Sequence, residues 1–376
     1  MYDVKVIRSC TELRNLADQW EALLERSGTA NVFLTWEWIG NWIEVYLPGK
    51  DLLAIAVYDG DRLVGIAPFW IEKRRTLGMP SAKFLRLAGS PEADYVDILT
   101  DRKKTTGCVE RMWEELVGTL RPEWDVIEIH DIMSDSVALE ALLEKSAEDM
   151  RNLRVEAVGH SVCPYIALPD SWETFLAGFS RSGRYTITSS GRRLAQQGDL
   201  EFRVCEDAGD VEGRMTDFIS LHQKNWRAKG HPGAFAEDKS RVFHHRVARA
   251  MFEKGRLFLA SLHVGGRHIG SLYGFYFENR VFYYLLGVET NPVKRIKNGT
   301  ALLAMCVKEA IERGCSEFDF LRGAEEYKYR WTELDRRNLR VRIYNRSAMG
   351  SLWFRGRMIR LALMGALGMD GKKRGS

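Results

Sequence analysis

The same order of turn, helix and strand occurs twice along this chain. The turn at 60–65 (GDRLVG) matches the turn at 265–270 (GGRHIG) at an offset of 205 residues, and apolar runs typical of strands flank both. The helical run and strand at 109–125 match those at 303–319 at an offset of 194 residues. The difference of 11 residues fits an insertion in the first copy around Lys73–Pro80. The pattern predicts β-hairpins at the two turns and two related α/β halves.

Length and composition agree with two soluble domains. The chain has 376 residues, of which 45% are hydrophobic and 28% charged, and each half is long enough to bury a core. We expect a first half at 1–160, a second half at 161–350 that includes a basic, exposed connecting helix at 180–197, and a basic amphipathic segment at 351–376.

Several classes of protein are disfavoured. The sequence has no apolar run of membrane-spanning length and no signal-peptide pattern at its start, so we expect a cytoplasmic protein. The net charge of +4 is too small to indicate nucleic-acid binding by itself. The six cysteines are widely spaced and suggest buried, reduced thiols. No HExxH or comparable cluster is present, and we expect no metal site.

The run Asn298–Trp331 joins a glycine turn, a helix, a buried strand and a charged aromatic turn. Gly299 begins a helical pattern that ends at Gly314. The backbone N–H groups at such a helix start bind phosphate or pyrophosphate without any side-chain charge. The alternative is an ordinary helix–strand unit that binds nothing.

Five segments carry a resemblance to a known family. They are Ser180–Leu194 (SRSGRYTITSSGRRL), Leu221–Trp226 (LHQKNW), Tyr283–Glu289 (YYLLGVE), Asn298–Leu303 (NGTALL) and Phe318–Trp331 (FDFLRGAEEYKYRW). With the order of predicted elements, they resemble the GNAT acyltransferase superfamily. Within it the chain resembles acyltransferases of cellulose and exopolysaccharide biosynthesis. Those enzymes are similar to Fem-type aminoacyl transferases in carrying two GNAT-like halves.

The resemblance implies an α/β (α+β) fold of two tandem GNAT-like halves, each a mixed, mostly antiparallel sheet flanked by helices. It also implies acyl transfer with no tightly bound cofactor and with acyl-CoA as co-substrate. One departure bears on the donor. The GNAT pyrophosphate loop reads [QR]-x-x-G-x-[GA], and this chain has Ile296 at the polar position when Gly299 and Ala301 are aligned with its last two fixed positions. Aminoacyl-tRNA therefore stays open as the donor.

By the same resemblance, donor-binding residues lie at the end of one strand and at the following helix start. They are Leu286, Gly287, Val288, Arg295, Lys297, Asn298, Gly299 and Thr300.

Candidate catalytic and acceptor-binding residues lie in three places. Lys328 would stabilise the oxyanion or is a solvated lysine, and Glu325 is a candidate base or a surface residue. Asp319 faces a cleft or makes a structural hydrogen bond, and His222 is a candidate base. The acceptor-binding candidates are Trp226, Glu326 and Tyr327.

Three functions remain in competition. The first is N- or O-acyl transfer to a sugar or another precursor of a cell-surface polymer, including lipid-linked sugars. The second is aminoacyl transfer from tRNA. The third is a non-catalytic scaffold that docks on membrane or nucleic acid through the helix at 180–197 and the basic tail.

The last 26 residues contain a broad apolar face flanked by Arg355, Arg357 and Arg360 and followed by a basic end. Such a segment lies on an anionic membrane surface, here the inner face of the membrane, or packs as a helix on the sheet of the second half.

Overall fold

The computed structural model describes residues 2–76, 79–149, 153–289 and 296–366. Contacts divide the chain into two compact units. The first comprises residues 1–162 and the segment from 336 onward, and the second comprises residues 163–335.

Strands and helices alternate along both units. The strands are β1 (Asp3–Ile7), β2 (Asp51–Asp59), β3 (Arg62–Thr76), β4 (Met79–Leu87), β5 (Leu99–Thr100), β6 (Val126–Met133), β7 (Leu153–Ala167), β8 (Leu200–Val204), β9 (Leu257–Val264), β10 (Arg267–Phe277), β11 (Arg280–Val288), β12 (Glu317–Asp319) and β13 (Asp335–Asn345). The α-helices are α1 (Cys10–Arg14), α2 (Ala17–Leu24), α3 (Trp36–Tyr46), α4 (Thr105–Val117), α5 (Val137–Glu148), α6 (Trp172–Ala177), α7 (Arg181–Ala195), α8 (Val211–Ala228), α9 (Asp238–Glu253), α10 (Asn298–Glu312) and α11 (Ala348–Ala366). Short 3₁₀ turns occur at Val32–Leu34, Arg121–Glu123 and Lys328–Arg330.

The two units share one strand order. The first unit has β1-β2-β3-β4-β6-β13, and the second has β8-β9-β10-β11-β12 followed by the end of β7. In each unit the fourth and fifth strands of this order are parallel, and the other neighbours are antiparallel. A helix, α4 or α10, lies in the chain between the two parallel strands. The expected fold of two mixed, mostly antiparallel halves is confirmed.

Both predicted hairpins are present and close with two-residue turns. Gly60 follows β2, and Gly265 and Gly266 join β9 to β10. All three glycines have φ between 55° and 76°. This left-handed region is one that glycine adopts without steric cost, which is why the repeated turns carry glycine.

The unit boundaries differ from the expected second half at 161–350. The first boundary falls within β7, close to the expected position. The second falls at Arg336, because β13 pairs with β6 of the first unit. The sequence pattern of a strand shows which of its faces is buried but does not name its partner.

Helices cover both faces of the sheet in the second unit. Successive residues of β10 show this, since Leu272 belongs to a buried cluster with Leu302 of α10. The next residue, Tyr273, has its ring 5.5 Å from Phe218 of α8 and 5.7 Å from His244 of α9. Because side chains alternate between the faces of a strand, α10 lies on one face and α8 and α9 lie on the other.

Five of the six cysteines are buried, as expected, and Cys10 is exposed. Among the residues that the structure describes, no helix is long and apolar enough to cross a membrane.

Candidate functional site

The parallel strands β11 and β12 separate after a short paired stretch. Arg280–Phe282 pairs with Glu317–Asp319, where β12 ends. β11 continues to Val288 and keeps its pairing with β10 over this stretch. Tyr284 is an extra residue in the β10–β11 register, which makes it a β-bulge at the point of separation. Bulges bend a strand away from its neighbour, so the gap beside β11 has a local cause.

A cavity of 530 Å³, called here the β11 cavity, lies next to the separated part of β11. Its lining residues are Phe179, Ser180, Ser182, Gly183, Thr186, Ile187, Leu286, Lys297, Gly299, Thr300, Leu303, Tyr327, Arg330 and Trp331. They all belong to the second unit and come from β11, the start of α10, the segment through α7 and the turn after β12. The volume is in the range of small-molecule sites.

The start of α10 forms one wall of the β11 cavity. No side chain caps this helix. The residue before it, Lys297, donates its backbone N–H to Ser190 Oγ at 3.3 Å. Asn298 is buried, and its side-chain amide donates to the carbonyl oxygen of Glu289 at 2.8 Å. Gly299 and Thr300 line the cavity, and the N–H groups of an uncapped first helical turn favour an anion there.

The charges at the β11 cavity are positive. Lys297 and Arg330 line it, and no carboxylate does so among the described residues. Arg330 Nη2 also lies 3.0 Å from Glu326 Oε1 in an exposed ion pair. The side chain of Glu326 is 89% exposed, so solvent screens this pair and its free energy is small.

Helix α7 forms another wall and was predicted from sequence to be an exposed connecting helix. It packs instead against α10. Ile187, Ser190 and Leu194 are buried, and their spacing of three and four residues marks one helix face. That spacing was the available signal, but the arginines and small polar residues of the helix hid it. Sequence reasoning thus missed the lining residues Ser182, Thr186 and Ile187.

A pair of phenols borders the β11 cavity. The hydroxyl of Tyr327, which lines the cavity, lies 3.1 Å from the hydroxyl of the buried Tyr283. Burial raises the pKa of Tyr327 above its ordinary value. Both groups therefore stay protonated at neutral pH, and each remains able to donate a hydrogen bond.

Lys328 is buried rather than solvated, with 3% of its surface exposed. Its ammonium donates to the carbonyl oxygens of Leu321, Arg322 and Gly323 at 3.2, 2.9 and 3.3 Å. It also lies 2.9 Å from Glu325 Oε2. The three N–H donors of an ammonium group are occupied by these contacts. They favour a positioning role for Lys328, and its catalytic role stays a prediction.

Asp319 is the last residue of β12, directly before the turn whose carbonyl groups Lys328 contacts, and it is fully buried. Its Oδ1 accepts a hydrogen bond from the backbone N–H of Leu321 at 2.7 Å. Leu321 has φ 56° and Gly323 has φ 124°, a left-handed region that is unfavourable for leucine. Asp319 and Lys328 together hold this turn, and Asp319 does not line the β11 cavity.

His222, Trp226 and Gly287 meet on the opposite face of the sheet. A Cβ atom at Gly287 would lie 2.8 Å from the backbone nitrogen of His222, so this glycine lets α8 approach β11. His222 is 1% exposed and packs against the ring of Trp226 at 5.9 Å. Burial lowers the pKa of His222 to about 4. None of the three residues lines the β11 cavity.

The structure thus brings together part of the expected site. Leu286, Lys297, Gly299, Thr300 and Tyr327 line the β11 cavity. Val288 packs beside this group, since its Cγ2 would lie 3.8 Å from a Cβ atom at Gly299. Glu325 is exposed, and neither it nor Glu326 lines the cavity. Arg295 falls outside the described residues.

No cluster of side chains among the described residues has the composition and spacing of a metal site. The lining of the β11 cavity fits an uncharged apolar group joined to an anion.

The sequence of residues 181–329 matches the family described as acetyltransferase (GNAT) domain. This stretch contains α7, β11 and α10. The second unit is therefore similar to GNAT acetyltransferase domains over most of its length. No protein with a curated description matches the sequence significantly.

Solved structures give the same fold over nearly the whole chain. FemX has 12% sequence identity and a TM-score of 0.60, with 93% of this chain and 98% of that chain covered. The C-terminal domain of a lysylphosphatidylglycerol synthetase from Agrobacterium fabrum has 13% identity and a TM-score of 0.53, with 98% and 99% covered. L-PGS from Bacillus licheniformis has 14% identity and a TM-score of 0.52, with 91% and 96% covered. At these identities the similarity establishes the fold and leaves the substrate open.

Proposed function

We propose that the second unit is an acyltransferase that binds an acyl-CoA-like donor in the β11 cavity. The observation that carries the proposal is the uncapped start of α10 in the wall of that cavity. The phosphates of the donor would meet the N–H groups of Gly299 and Thr300, and Lys297 and Arg330 would add positive charge. Leu286, Ile187 and Leu303 supply apolar contacts for the arm that carries the acyl group.

The part of β11 that is separated from β12 would hold the reacting carbonyl group. Peptide groups of β11 beyond Phe282 are no longer paired with β12, and this edge of the strand would present N–H groups to an acyl carbonyl. Such fixed donors stabilise the oxyanion that forms when the carbonyl carbon becomes tetrahedral. The arrangement supports direct transfer with no covalent enzyme intermediate.

The reaction balances as a substitution at the carbonyl carbon. The nitrogen or oxygen of the acceptor forms a bond to that carbon, and the carbon–sulfur bond of the thioester breaks. The acceptor loses one proton, and the leaving thiolate gains one. Tyr327 lines the cavity and is protonated, so it is our candidate for the group that delivers a proton to the sulfur.

The candidates for the base that takes the acceptor proton are His222, Asp319 and Glu325. His222 is neutral but buried behind the sheet, and Asp319 is committed to the turn after β12. Glu325 is exposed and lies next to Lys328. Of the three residues it is the one that an acceptor can reach from solvent, and it is our candidate base. For the acceptor we propose an amine or hydroxyl of a sugar, or of another precursor of a cell-surface polymer, on the basis of the sequence resemblance.

Aminoacyl transfer from tRNA is the second candidate. Arg181, Arg184 and Arg192 of α7 are exposed on the helix that walls the β11 cavity. An exposed row of arginines suits a nucleic-acid backbone better than it suits a single pyrophosphate. In this case the bond that breaks is the ester carbon–oxygen bond to the terminal ribose, and Tyr327 would protonate that oxygen.

Calorimetric titration of the full chain with coenzyme A and, separately, with tRNA distinguishes the two donors. Saturable coenzyme A binding supports the first candidate. Salt-sensitive tRNA binding without coenzyme A binding supports the second. If neither ligand binds, the scaffold interpretation is favoured and the proposed enzyme activity is wrong.

The variant Arg181→Ala/Arg184→Ala serves as a matched control in both titrations. Neither arginine lines the β11 cavity. We therefore expect the variant to weaken tRNA binding and leave coenzyme A binding unchanged.

A further inference from the structure

Helix α11 is fixed to the first unit by one of its faces. Trp353 contacts Phe84 with ring centroids 5.0 Å apart, and Phe354 contacts Tyr344 at 5.2 Å. Arg357 also forms a two-point ion pair, with Nε 2.8 Å from one oxygen of a glutamate and Nη2 2.6 Å from the other. That glutamate is Glu156 on β7, within the first unit. The helix is thus anchored in the first unit, so the expected packing on the sheet of the second half is wrong, and membrane docking stays a prediction.

Helix α11 also exposes large apolar side chains. Leu352, Met358, Ile359 and Leu361 are 41, 47, 62 and 42% exposed. The described residues have ten exposed large apolar side chains, and these four share one helix while the other six are scattered. At 100° per residue, Leu352, Arg355 and Ile359 lie on the side opposite to Trp353 and Arg357. The outward face is defined by Leu352, Arg355, Met358 and Ile359.

The charged residues of α11 are all basic. The sequence of α11 contains Arg355, Arg357 and Arg360 and no acidic residue. An apolar face that carries Arg355 and no acidic residue matches the two layers of an anionic lipid surface.

We propose that the outward face of α11 docks on an anionic lipid surface. Leu352, Met358 and Ile359 would enter the boundary between headgroups and acyl chains. Arg355 would contact lipid phosphates. A second copy of this chain fits less well, because a symmetric contact between two such faces would bring arginines against arginines.

Vesicle co-sedimentation of the full chain tests the proposal. Vesicles that contain phosphatidylglycerol should bind a larger fraction of the protein than vesicles of phosphatidylcholine alone, by about tenfold at low salt, and high salt should reduce this difference. The variant Ile359→Asp places a charge in the outward face without touching the anchoring residues. It should lower binding to anionic vesicles at least about fivefold, with an unchanged melting temperature.

The matched control is Val242→Asp, at a residue of α9 that is 46% exposed. It should bind vesicles as the unchanged protein does. Equal binding by Ile359→Asp, or no vesicle binding by the unchanged protein, would overturn the proposal. So would a dimer in sedimentation velocity that Ile359→Asp converts to a monomer, since the face would then join two copies of the chain.

Discussion

The ammonium nitrogen of Lys328 lies 2.9 Å from the carbonyl oxygen of Arg322. Two further carbonyl contacts, to Leu321 and Gly323, make this lysine the centre of the turn that follows β12. The turn precedes Tyr327, Arg330 and Trp331, which line the β11 cavity. A buried lysine therefore connects the end of a strand to the wall of the candidate site.

Replacement of Lys328 by methionine should lower stability. The change keeps the apolar stem but leaves buried carbonyl groups without a donor, at a cost of about 1–3 kcal/mol. For a unit of this size each kcal/mol corresponds to roughly 2–4 °C in melting temperature. Differential scanning calorimetry measures the shift. The control is Lys224→Met, since the side chain of Lys224 is 71% exposed and its loss should change little. An unchanged melting temperature with turnover reduced about 10²–10³-fold would instead assign oxyanion stabilisation to Lys328.

Tyr327→Phe should reduce turnover and leave the fold intact. It removes the hydroxyl that we assign to protonation of the leaving group, and a loss of about 10²-fold in kcat is expected. Release of free thiol from acyl-CoA in the presence of acceptor measures the rate. Tyr329→Phe is the matched control, because Tyr329 is exposed and pairs with Asp335 away from the cavity. Equal rates for the two variants would remove Tyr327 from the reaction.

The fold and the hairpins could be predicted because glycine turns and the periodic spacing of apolar residues are signals contained within short segments of the sequence. Gly60 and Gly265 mark the repeat, and both occupy left-handed turns. The pairing of β13 with β6 could not be predicted, because the two strands lie more than 200 residues apart in the chain. Local pattern carries no information on such a pairing.

Part of the site was predictable from the helix start at Gly299, and the family resemblance added Thr300 and Leu286. All three residues line the β11 cavity. Lys328 was harder to place, because lysine is seldom buried and its partners are carbonyl groups that a sequence does not distinguish. The contribution of α7 to the cavity wall was missed because arginines and small polar residues are more numerous in this helix than apolar residues such as Ile187 and Leu194.

Acid should destabilise the second unit through its buried histidines. Burial lowers the pKa of His222 from 6.5 to about 4 and that of His244 to about 3. Between pH 6.5 and about 4 the unfolded chain binds protons that folded His222 does not, so the free energy of unfolding falls as the pH falls through this window. The variant His222→Phe keeps an aromatic ring against Phe218 and Phe235 and should show a smaller loss. Urea unfolding at pH 7 and pH 4.5 measures it, and identical pH dependence in the two proteins would count against a neutral buried His222.

Glu326→Gln should strengthen donor binding. The change releases Arg330 from its exposed ion pair with Glu326, and an exposed pair of this kind is worth about 0.2–1 kcal/mol, or roughly up to fivefold in affinity. Glu333→Gln removes the same charge from an exposed residue that does not line the β11 cavity and is the control. Weaker coenzyme A binding by Glu326→Gln would show that Arg330 does not contact the donor.

The most direct test of the account compares Gly299→Glu with Gly299→Gln. A Cβ atom at Gly299 would lie 3.5 Å from Leu286 Cδ2, an ordinary contact, so both variants should fold. They have the same bulk and differ in one negative charge at the proposed phosphate site. Calorimetric titration with coenzyme A should show at least about tenfold weaker binding for Gly299→Glu than for Gly299→Gln, while Gly213→Glu, at an exposed helical glycine of α8, should bind as the unchanged protein does. Equal affinity for the two Gly299 variants would contradict a donor phosphate at the start of α10.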